Sequence, residues 1–182
     1  MILFEKKLFN ESECEYIKGL GGEFVQSYFK AGNKNEVGYN LKKRNSFVTN
    51  ASLTKDDFLF KKINDSFKEI GYTIDVDTLP FEIYKYNDGN FITKHIDSDP
   101  FEHNRFCVCI VQLSNPTNYE GGTFLSYIND ESIPMNKEIG NFLVITPDTP
   151  HEVEVITSGE RKSMIIAIVN ENVKPTTKKS FI

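Results

Sequence analysis

The chain has 182 residues, 39% of them hydrophobic and 26% charged, with a formal net charge of −5. That length and balance point to one soluble globular domain with its own core, and the acidic excess argues against a surface that grips nucleic-acid phosphates. No apolar run approaches the ~18 residues of a membrane span, and the opening MILFEKKLFNESE lacks a signal-peptide core, so a cytoplasmic location is expected.

In chain order, Asn10 and Glu13 form a capping-box pattern, so the first predicted element is a helix. Cys14, Ile17 and Leu20 follow at three-residue steps, and Gly21-Gly22 ends it. A strand is predicted near 24–29. Residues 31–45 are rich in Gly, Asn and Lys without apolar periodicity and read as a mobile loop, with a role as substrate lid as one option. Its basic cluster Lys42-Lys43-Arg44, like Lys178-Lys179 near the end, reads as solvated. Thr54 and Asp57 open a second helix, Leu59, Ile63, Phe67 and Ile70 repeat at helical spacing, and Gly71 stands where a left-handed residue is wanted.

After Gly71 the pattern is that of strands, near 81–86, 91–97, 105–114, 122–128, 141–146, 151–157 and 161–170, separated by Gly, Pro, Asn and Asp. Cys107 and Cys109 share one face of an apolar run. With Cys14 they make three cysteines, which fit neither a disulfide framework nor a zinc knuckle and read as buried thiols. In the 151–157 run His151, Val153 and Val155 share a face. Residues 164–169 are apolar on both faces, which predicts a central strand covered on both sides. The expected fold is mainly β with flanking helices (α+β), a sandwich or jelly roll with N-terminal helices packed on one sheet. It forms a single domain over 1–182, with a mixed N-terminal part to about residue 75 and a jelly-roll core over about 76–172.

Chemistry concentrates at His95-Ile96-Asp97, His151 and Arg161-Lys162-Ser163. On a strand, positions i and i+2 share a face, so His95 and Asp97 project into one space, with Phe91 and Thr93 beside them and Ile92, Lys94 and Ile96 turned away. Two histidines and one carboxylate with open positions form a ligand set for non-haem Fe(II). A His-x-Asp pair alone is a weak signal, and the combination with His151 strengthens it. His103 lies in a polar stretch and reads as a loop residue.

These residues stand in a wider pattern. Tyr86-Asn-Asp-Gly89-Asn-Phe91-Ile-Thr-Lys-His95-Ile-Asp97, Tyr119-Glu-Gly-Gly-Thr-Phe124, Gly140-Asn-Phe-Leu-Val144, His151-Glu-Val-Glu-Val155 and Gly159-Glu-Arg161-Lys-Ser163 occur in order over residues 81–170. This run resembles the prolyl-4-hydroxylase-like 2-oxoglutarate/Fe(II) dioxygenases. The ten-residue step from His151 to Arg161 is similar to that of the bacterial PKHD-type hydroxylases. The resemblance implies a double-stranded β-helix (jelly roll) with flanking helices. It implies His95, Asp97 and His151 as iron ligands and catalytic residues, Arg161 on the distal carboxylate of 2-oxoglutarate, Ser163 as a second hydrogen-bonding group there, and Tyr86 lining the co-substrate pocket. Gln112 stands where the oxygen-sensing relatives carry a second tyrosine, and Val155-Ile156 replaces the family's Pro-Val. The implied cofactors are Fe(II), 2-oxoglutarate and O₂, with ascorbate as a candidate reductant. The implied reaction hydroxylates a C–H bond as 2-oxoglutarate is decarboxylated to succinate and CO₂. The resemblance favours a peptidyl proline as substrate. A small molecule or free amino acid, or a cupin-like jelly roll that binds metal without this catalysis, is the alternative. Arg44 and Arg105 are further candidates for substrate contact, beside surface or structural roles.

Overall fold

The computed structural model describes residues 1–27, 29–30, 37–38, 40–97 and 104–176. His103, Lys178, Lys179 and much of the 31–45 segment lie outside the described residues.

A seven-stranded antiparallel sheet runs in the order Ile2–Lys7, Asn141–Ile145, Arg105–Gln112, Arg161–Val169, Thr78–Tyr86, Phe47–Thr54 and Val25–Gln26. A five-stranded antiparallel sheet faces it, in the order Glu131–Pro134, Phe124–Ile128, His151–Val153, Phe91–His95 and Arg44–Asn45. This is the expected mainly-β jelly roll with helices on one sheet. Contrary to the sequence reading, the first element is a strand, Ile2–Lys7, which pairs with Asn141–Ile145 before the helix begins. The 24–29 strand is broken into Val25–Gln26 and Phe29–Lys30. The 31–45 segment holds two short strands, Val37–Gly38 and Arg44–Asn45, and the second of them forms the edge of the small sheet.

Both helices form for the reasons legible in their ends. Asn10 accepts from the Glu13 N–H at 2.9 Å while the Glu13 carboxylate accepts from the Asn10 N–H at 2.8 Å, and the helix runs Glu11–Leu20. Asp57 caps Phe58–Glu69 by accepting from the Leu59 N–H, and Gly71 takes φ +87° just beyond its end. Gly21 does not adopt the left-handed conformation. Its value is closeness, since a Cβ there would lie 2.6 Å from Thr49 Cγ2. Cys14 and Ile17 of the first helix and Leu59, Phe60, Ile63 and Phe67 of the second pack on the outer face of the large sheet, against Phe81, Ile83, Cys107, Cys109, Phe142, Val144, Met164 and Ile166. Each fully buried large apolar side chain contributes about 1.5–3 kcal/mol relative to exposure. The three cysteines are buried free thiols.

Alternation along the same strands turns the other side chains into the space between the sheets. Tyr84, Tyr86, Val108, Ile110, Leu143 and Ile145 of the large sheet meet Ile92, Phe124 and Val153 of the small one. The Arg161–Val169 strand is central, between Arg105–Gln112 and Thr78–Tyr86, and Arg161 and Ser163 face inward opposite Tyr86 and Tyr84. At this end Arg161, Ser163 and Met164 are buried and Lys162 is half-buried. At the other end Ala167 is exposed, so the two-sided cover expected for 164–169 is only partial.

Candidate functional site

His95 ends its strand and Asp97 follows two residues later. His151 opens the neighbouring strand and pairs directly with His95. One ligand-type atom from each of the three lies within 4.8 Å of the others. His151 Nε2 is 3.5 Å and His95 Nε2 3.8 Å from the Asp97 carboxylate, and the imidazole centroids are 4.3 Å apart. The side chains are 7% exposed for His151, 19% for His95 and 20% for Asp97, so the group is walled on one side and open on the other.

The surroundings fix how these groups can act. His95 Nδ1 lies 2.8 Å from the Thr93 carbonyl and His151 Nδ1 2.9 Å from the Thr149 carbonyl. A carbonyl only accepts, so each Nδ1 carries the proton and each Nε2 presents a lone pair toward Asp97. Burial, reinforced by the neighbouring His151 and opposed by Asp97, pushes the His95 pKa down to about 4, leaving the ring neutral at ordinary pH. The turn before His151 serves two of the three groups, because Asp97 N–H donates to the Pro147 carbonyl at 2.9 Å and Thr149 in the same turn orients His151. Arg105 braces Asp97 from outside, with Nη1 donating to its backbone carbonyl at 3.1 Å and lying 3.6 Å from its carboxylate. Arg105 is thereby a support for Asp97. Two neutral imidazoles and a carboxylate converging from one side fit a divalent first-row metal with several positions left open.

Deeper between the sheets lies a second group. Arg161 is 1% exposed, and its guanidinium has no carboxylate partner among the described residues. Nη1 donates to Ser163 Oγ at 3.4 Å, Nε has no partner, and the guanidinium carbon sits 5.4 Å from the Tyr86 ring centroid. Gly122, at φ +58°, leaves room for it, since a Cβ there would lie 3.3 Å from Arg161 Cδ and 2.0 Å from Ile156 Cδ1. Tyr86 is buried opposite Arg161, and burial raises its phenol pKa, so the hydroxyl keeps its proton. Gln112, opposite Ser163, donates from Nε2 to the Ser114 carbonyl at 3.0 Å and to the Tyr119 hydroxyl at 2.9 Å. Its amide protons are thus shared between Ser114 and Tyr119. Lys137 Nζ donates to the Gly121 carbonyl at 2.7 Å, and burial together with the charge of Arg161 lowers its pKa.

Three buried side-chain polar atoms among the described residues lack a partner: Arg161 Nε, Arg44 Nε and Ser126 Oγ. Ser126 stands directly opposite His151 on the small sheet, and the two arginines border the same interior. Orphaned polar groups gathered around one space are what a polar ligand would satisfy.

Some expectations from the sequence differ from the structure. The sequence places Arg44 in a solvated basic cluster, with substrate contact as the other option; it turns inward, donating to the Tyr84 hydroxyl at 3.2 Å, with Nη2 3.5 Å from His95 Nε2. The face shared by His151, Val153 and Val155 ends at Val153, because Glu154 N–H turns to the Thr123 carbonyl and Val155 becomes 47% exposed. Strict alternation places Ile92 outward and Thr93 inward, yet Ile92 is buried in the interior cluster and Thr93 is exposed. The cause is a register shift that sets His95–Ile92 against His151–Val153. Tyr84 and Lys137 join the site from outside the sequence motifs, and Tyr119 appears in them only as the first residue of its turn motif. Tyr84 stands two residues before Tyr86 on the same face, and that spacing was a usable signal, whereas nothing local marks Lys137.

A jelly roll with two histidines and a carboxylate at its mouth and a buried arginine beneath them defines the class of fold and site that the sequence resemblance pointed to. Residues 81–168, which carry every candidate ligand and Arg161, match the family model of the 2OG-Fe(II) oxygenase superfamily. No curated protein matches the chain by sequence. Among solved structures, a viral collagen prolyl hydroxylase from Paramecium bursaria Chlorella virus-1, in its 2OG complex, is similar at TM-score 0.60 and 16% identity, over 90% of this chain and 93% of that one. A Pseudomonas putida prolyl-4-hydroxylase is similar at TM-score 0.58 and 14% identity, over 92% of each chain. A 2OG-Fe(II) oxygenase family oxidoreductase from Burkholderia pseudomallei is similar at TM-score 0.59 and 17% identity, over 88% of this chain and 80% of that one. At these identities the likeness is one of fold. The family match supports an oxidoreductase, and that family implies Fe(II), 2-oxoglutarate and O₂. Among the described residues no helix is long and apolar enough to cross a membrane.

Proposed function

We propose that this chain is a 2-oxoglutarate-dependent hydroxylase in which His95, Asp97 and His151 hold Fe(II) and Arg161 anchors the co-substrate. One observation carries the reading: Arg161 is 1% exposed and has no carboxylate partner among the described residues. A buried guanidinium without a counter-ion is costly, and an incoming carboxylate removes that cost. The planar fork of Arg matches a carboxylate bidentately and never loses its charge. A dicarboxylate reaching from Arg161 toward the His95–Asp97–His151 group uses both sites at once, which a plain metal-binding cupin does not require.

Iron at those three residues supplies activation of O₂, coupled to conversion of 2-oxoglutarate to succinate and CO₂ as a substrate C–H becomes C–OH. The chain's own residues have separable tasks. His95 and His151 keep Nε2 unprotonated because Thr93 and Thr149 hold the Nδ1 protons. Arg105 and the 146–150 turn hold Asp97 in place. Ser163 and Tyr86 offer hydroxyls beside Arg161 for the co-substrate carboxylate. Gln112, opposite Ser163, acts through the Tyr119 hydroxyl to which it donates. The apolar walls, Ile92, Val108, Ile110, Leu143 and Val153, keep water from the interior.

A proline ring is the first candidate for the oxidised group, on the resemblance and on the names of two structural relatives. The test is direct: incubate the purified chain with Fe(II), 2-oxoglutarate, ascorbate and substrate pools, follow succinate, and search by mass spectrometry for a gain of one oxygen. Succinate formed equally with and without Fe(II) would overturn the reading.

A further inference from the structure

The proposed function leaves a second interior cation without an assignment. Arg44 sits on the edge strand of the small sheet, paired with Ile92. Its guanidinium reaches the mouth of the site, with Nη2 3.5 Å from His95 Nε2 and its carbon 5.8 Å from the Tyr84 ring centroid. Nη1 donates to the Tyr84 hydroxyl at 3.2 Å, and that hydroxyl donates onward to Glu82 at 3.1 Å. Burial raises the Tyr84 pKa, so this neighbour stays neutral and supplies no counter-charge. No carboxylate pairs with Arg44 among the described residues, and its Nε is buried without a partner.

Two features show what would satisfy it. The contact to His95 Nε2 uses the lone pair that a metal takes, so in the metal-loaded protein Nη2 is released as well. Beside it lies a cavity of about 130 Å³ lined by Lys43, Arg44, Ile92, Thr93, Lys94 and His95, a cationic rim on a chain of net charge −5. The Lys94 ammonium lies 3.6 Å from the Tyr127 ring centroid, so Arg44 is the rim cation that reaches His95.

We propose that Arg44 binds the carboxylate of the substrate, and that the substrate is a small carboxylic acid, such as a free amino or imino acid, oxidised at a carbon close to that carboxylate. The inference rests on the oxygenase reading. There one end of 2-oxoglutarate goes to Arg161 and the other to the metal, so Arg44 remains for a second anion. Its forked donors suit a carboxylate, and its closeness to His95 keeps that carboxylate within a few bonds of the oxidised C–H. The small cavity favours a free acid over an acidic side chain of a peptide.

The test uses the full chain loaded with Mn(II) and 2-oxoglutarate, titrated calorimetrically with N-acetyl-L-proline, its neutral amide and an Asp-containing prolyl hexapeptide amide. The wild type should bind the acid about tenfold or more tightly than the amide. Arg44→Gln should erase that preference, Arg44→Lys should keep part of it, and both should bind 2-oxoglutarate as the wild type does. A general loss of structure would weaken acid and amide alike, so the ratio isolates the anchor. Equal binding of acid and amide by the wild type, or a preference that survives Arg44→Gln, overturns the proposal. Arg44-dependent binding of the acidic peptide without that of the free acid overturns its small-molecule form. Lost 2-oxoglutarate affinity in Arg44→Gln assigns this cation to the co-substrate instead. If the wild type binds neither Mn(II) nor 2-oxoglutarate, the oxygenase reading falls too; otherwise only this inference is at stake.

Discussion

Replacing Arg161 with Met separates a ligand anchor from a structural arginine, because the two roles predict opposite changes in stability. The guanidinium is fully buried with no carboxylate beside it, and Ser163 at 3.4 Å is its weak hydrogen-bond partner. Methionine removes an uncompensated charge and fills much the same volume, so Arg161→Met without ligand should melt at or above the wild-type temperature. With Mn(II) present, 2-oxoglutarate at 100 times its Kd should stabilise the wild type by about 2.7 kcal/mol. For a chain of this size that is about 5–11 °C in Tm, at about 2–4 °C per kcal/mol. Loss of the anchor should cost about 2–5 kcal/mol of affinity, roughly thirtyfold or more. The same ligand concentration should then stabilise the variant by no more than about 0.9 kcal/mol, roughly 2–4 °C. Differential scanning fluorimetry with and without 2-oxoglutarate, backed by calorimetric titration, measures both quantities. A variant that keeps the full ligand-induced shift, or whose unliganded Tm falls by many degrees, refutes the reasoning.

Other changes probe the remaining parts. Asp97→Ala should abolish Fe(II)-dependent succinate formation and Mn(II) binding with little loss of fold, since Asp97 is partly exposed; turnover at the wild-type rate would show that the ligand assignment is wrong. Gly122→Ala should cost about 1–2 kcal/mol for a side chain at positive φ, and it should also weaken 2-oxoglutarate binding, because the new Cβ presses on Ile156 and Arg161. A stability loss with unchanged 2-oxoglutarate affinity would show that Arg161 tolerates displacement. Asn10→Ala removes half of the first helix's capping box and should lower stability by about 1 kcal/mol without changing turnover per folded molecule, as read by denaturant melts and succinate assays.

The parts of the fold that could be read ahead are those with local signals. The helices carried their caps, and the strands from Thr78–Tyr86 to Arg161–Val169 carried alternation and Gly- or Pro-rich breaks. Phe47–Thr54 escaped notice because its pattern is polar. Thr49 and Ser46 are buried, yet they are satisfied by hydrogen bonds, from the Gly22 N–H to Thr49 Oγ1 and between the Ser46 and Ser27 hydroxyls. A buried polar residue with a distant partner looks like a loop residue to any reading based on hydropathy. Arg44 is a candidate for substrate contact in the sequence, but its placement is not legible there: its neighbour His95 is 51 positions away, and the pairing that joins them is set by strand register that no local spacing reveals.

The most instructive departure lies in the strand that carries His95. Perfect alternation would turn Phe91, Thr93 and His95 to one face, and the motif alone suggests nothing else. In the protein, His151 is paired with His95 but Val153 with Ile92, so three steps on one strand match two on the other. An irregularity of this kind re-aims side chains and releases backbone groups from the ladder. Here it brings Ile92 inward with His95 and leaves the Thr93 carbonyl free to accept from His95 Nδ1 at 2.8 Å. The Thr93 N–H and hydroxyl donate instead to the Lys43 carbonyl, at 2.8 and 3.1 Å, which ties in the edge strand that carries Arg44. A regular strand would have committed that carbonyl to a neighbour and left the imidazole free to rotate. The break in alternation therefore fixes the tautomer of one candidate ligand and anchors the segment that brings Arg44 to the mouth. The positions where period-two reading fails are the ones where the site needs its geometry.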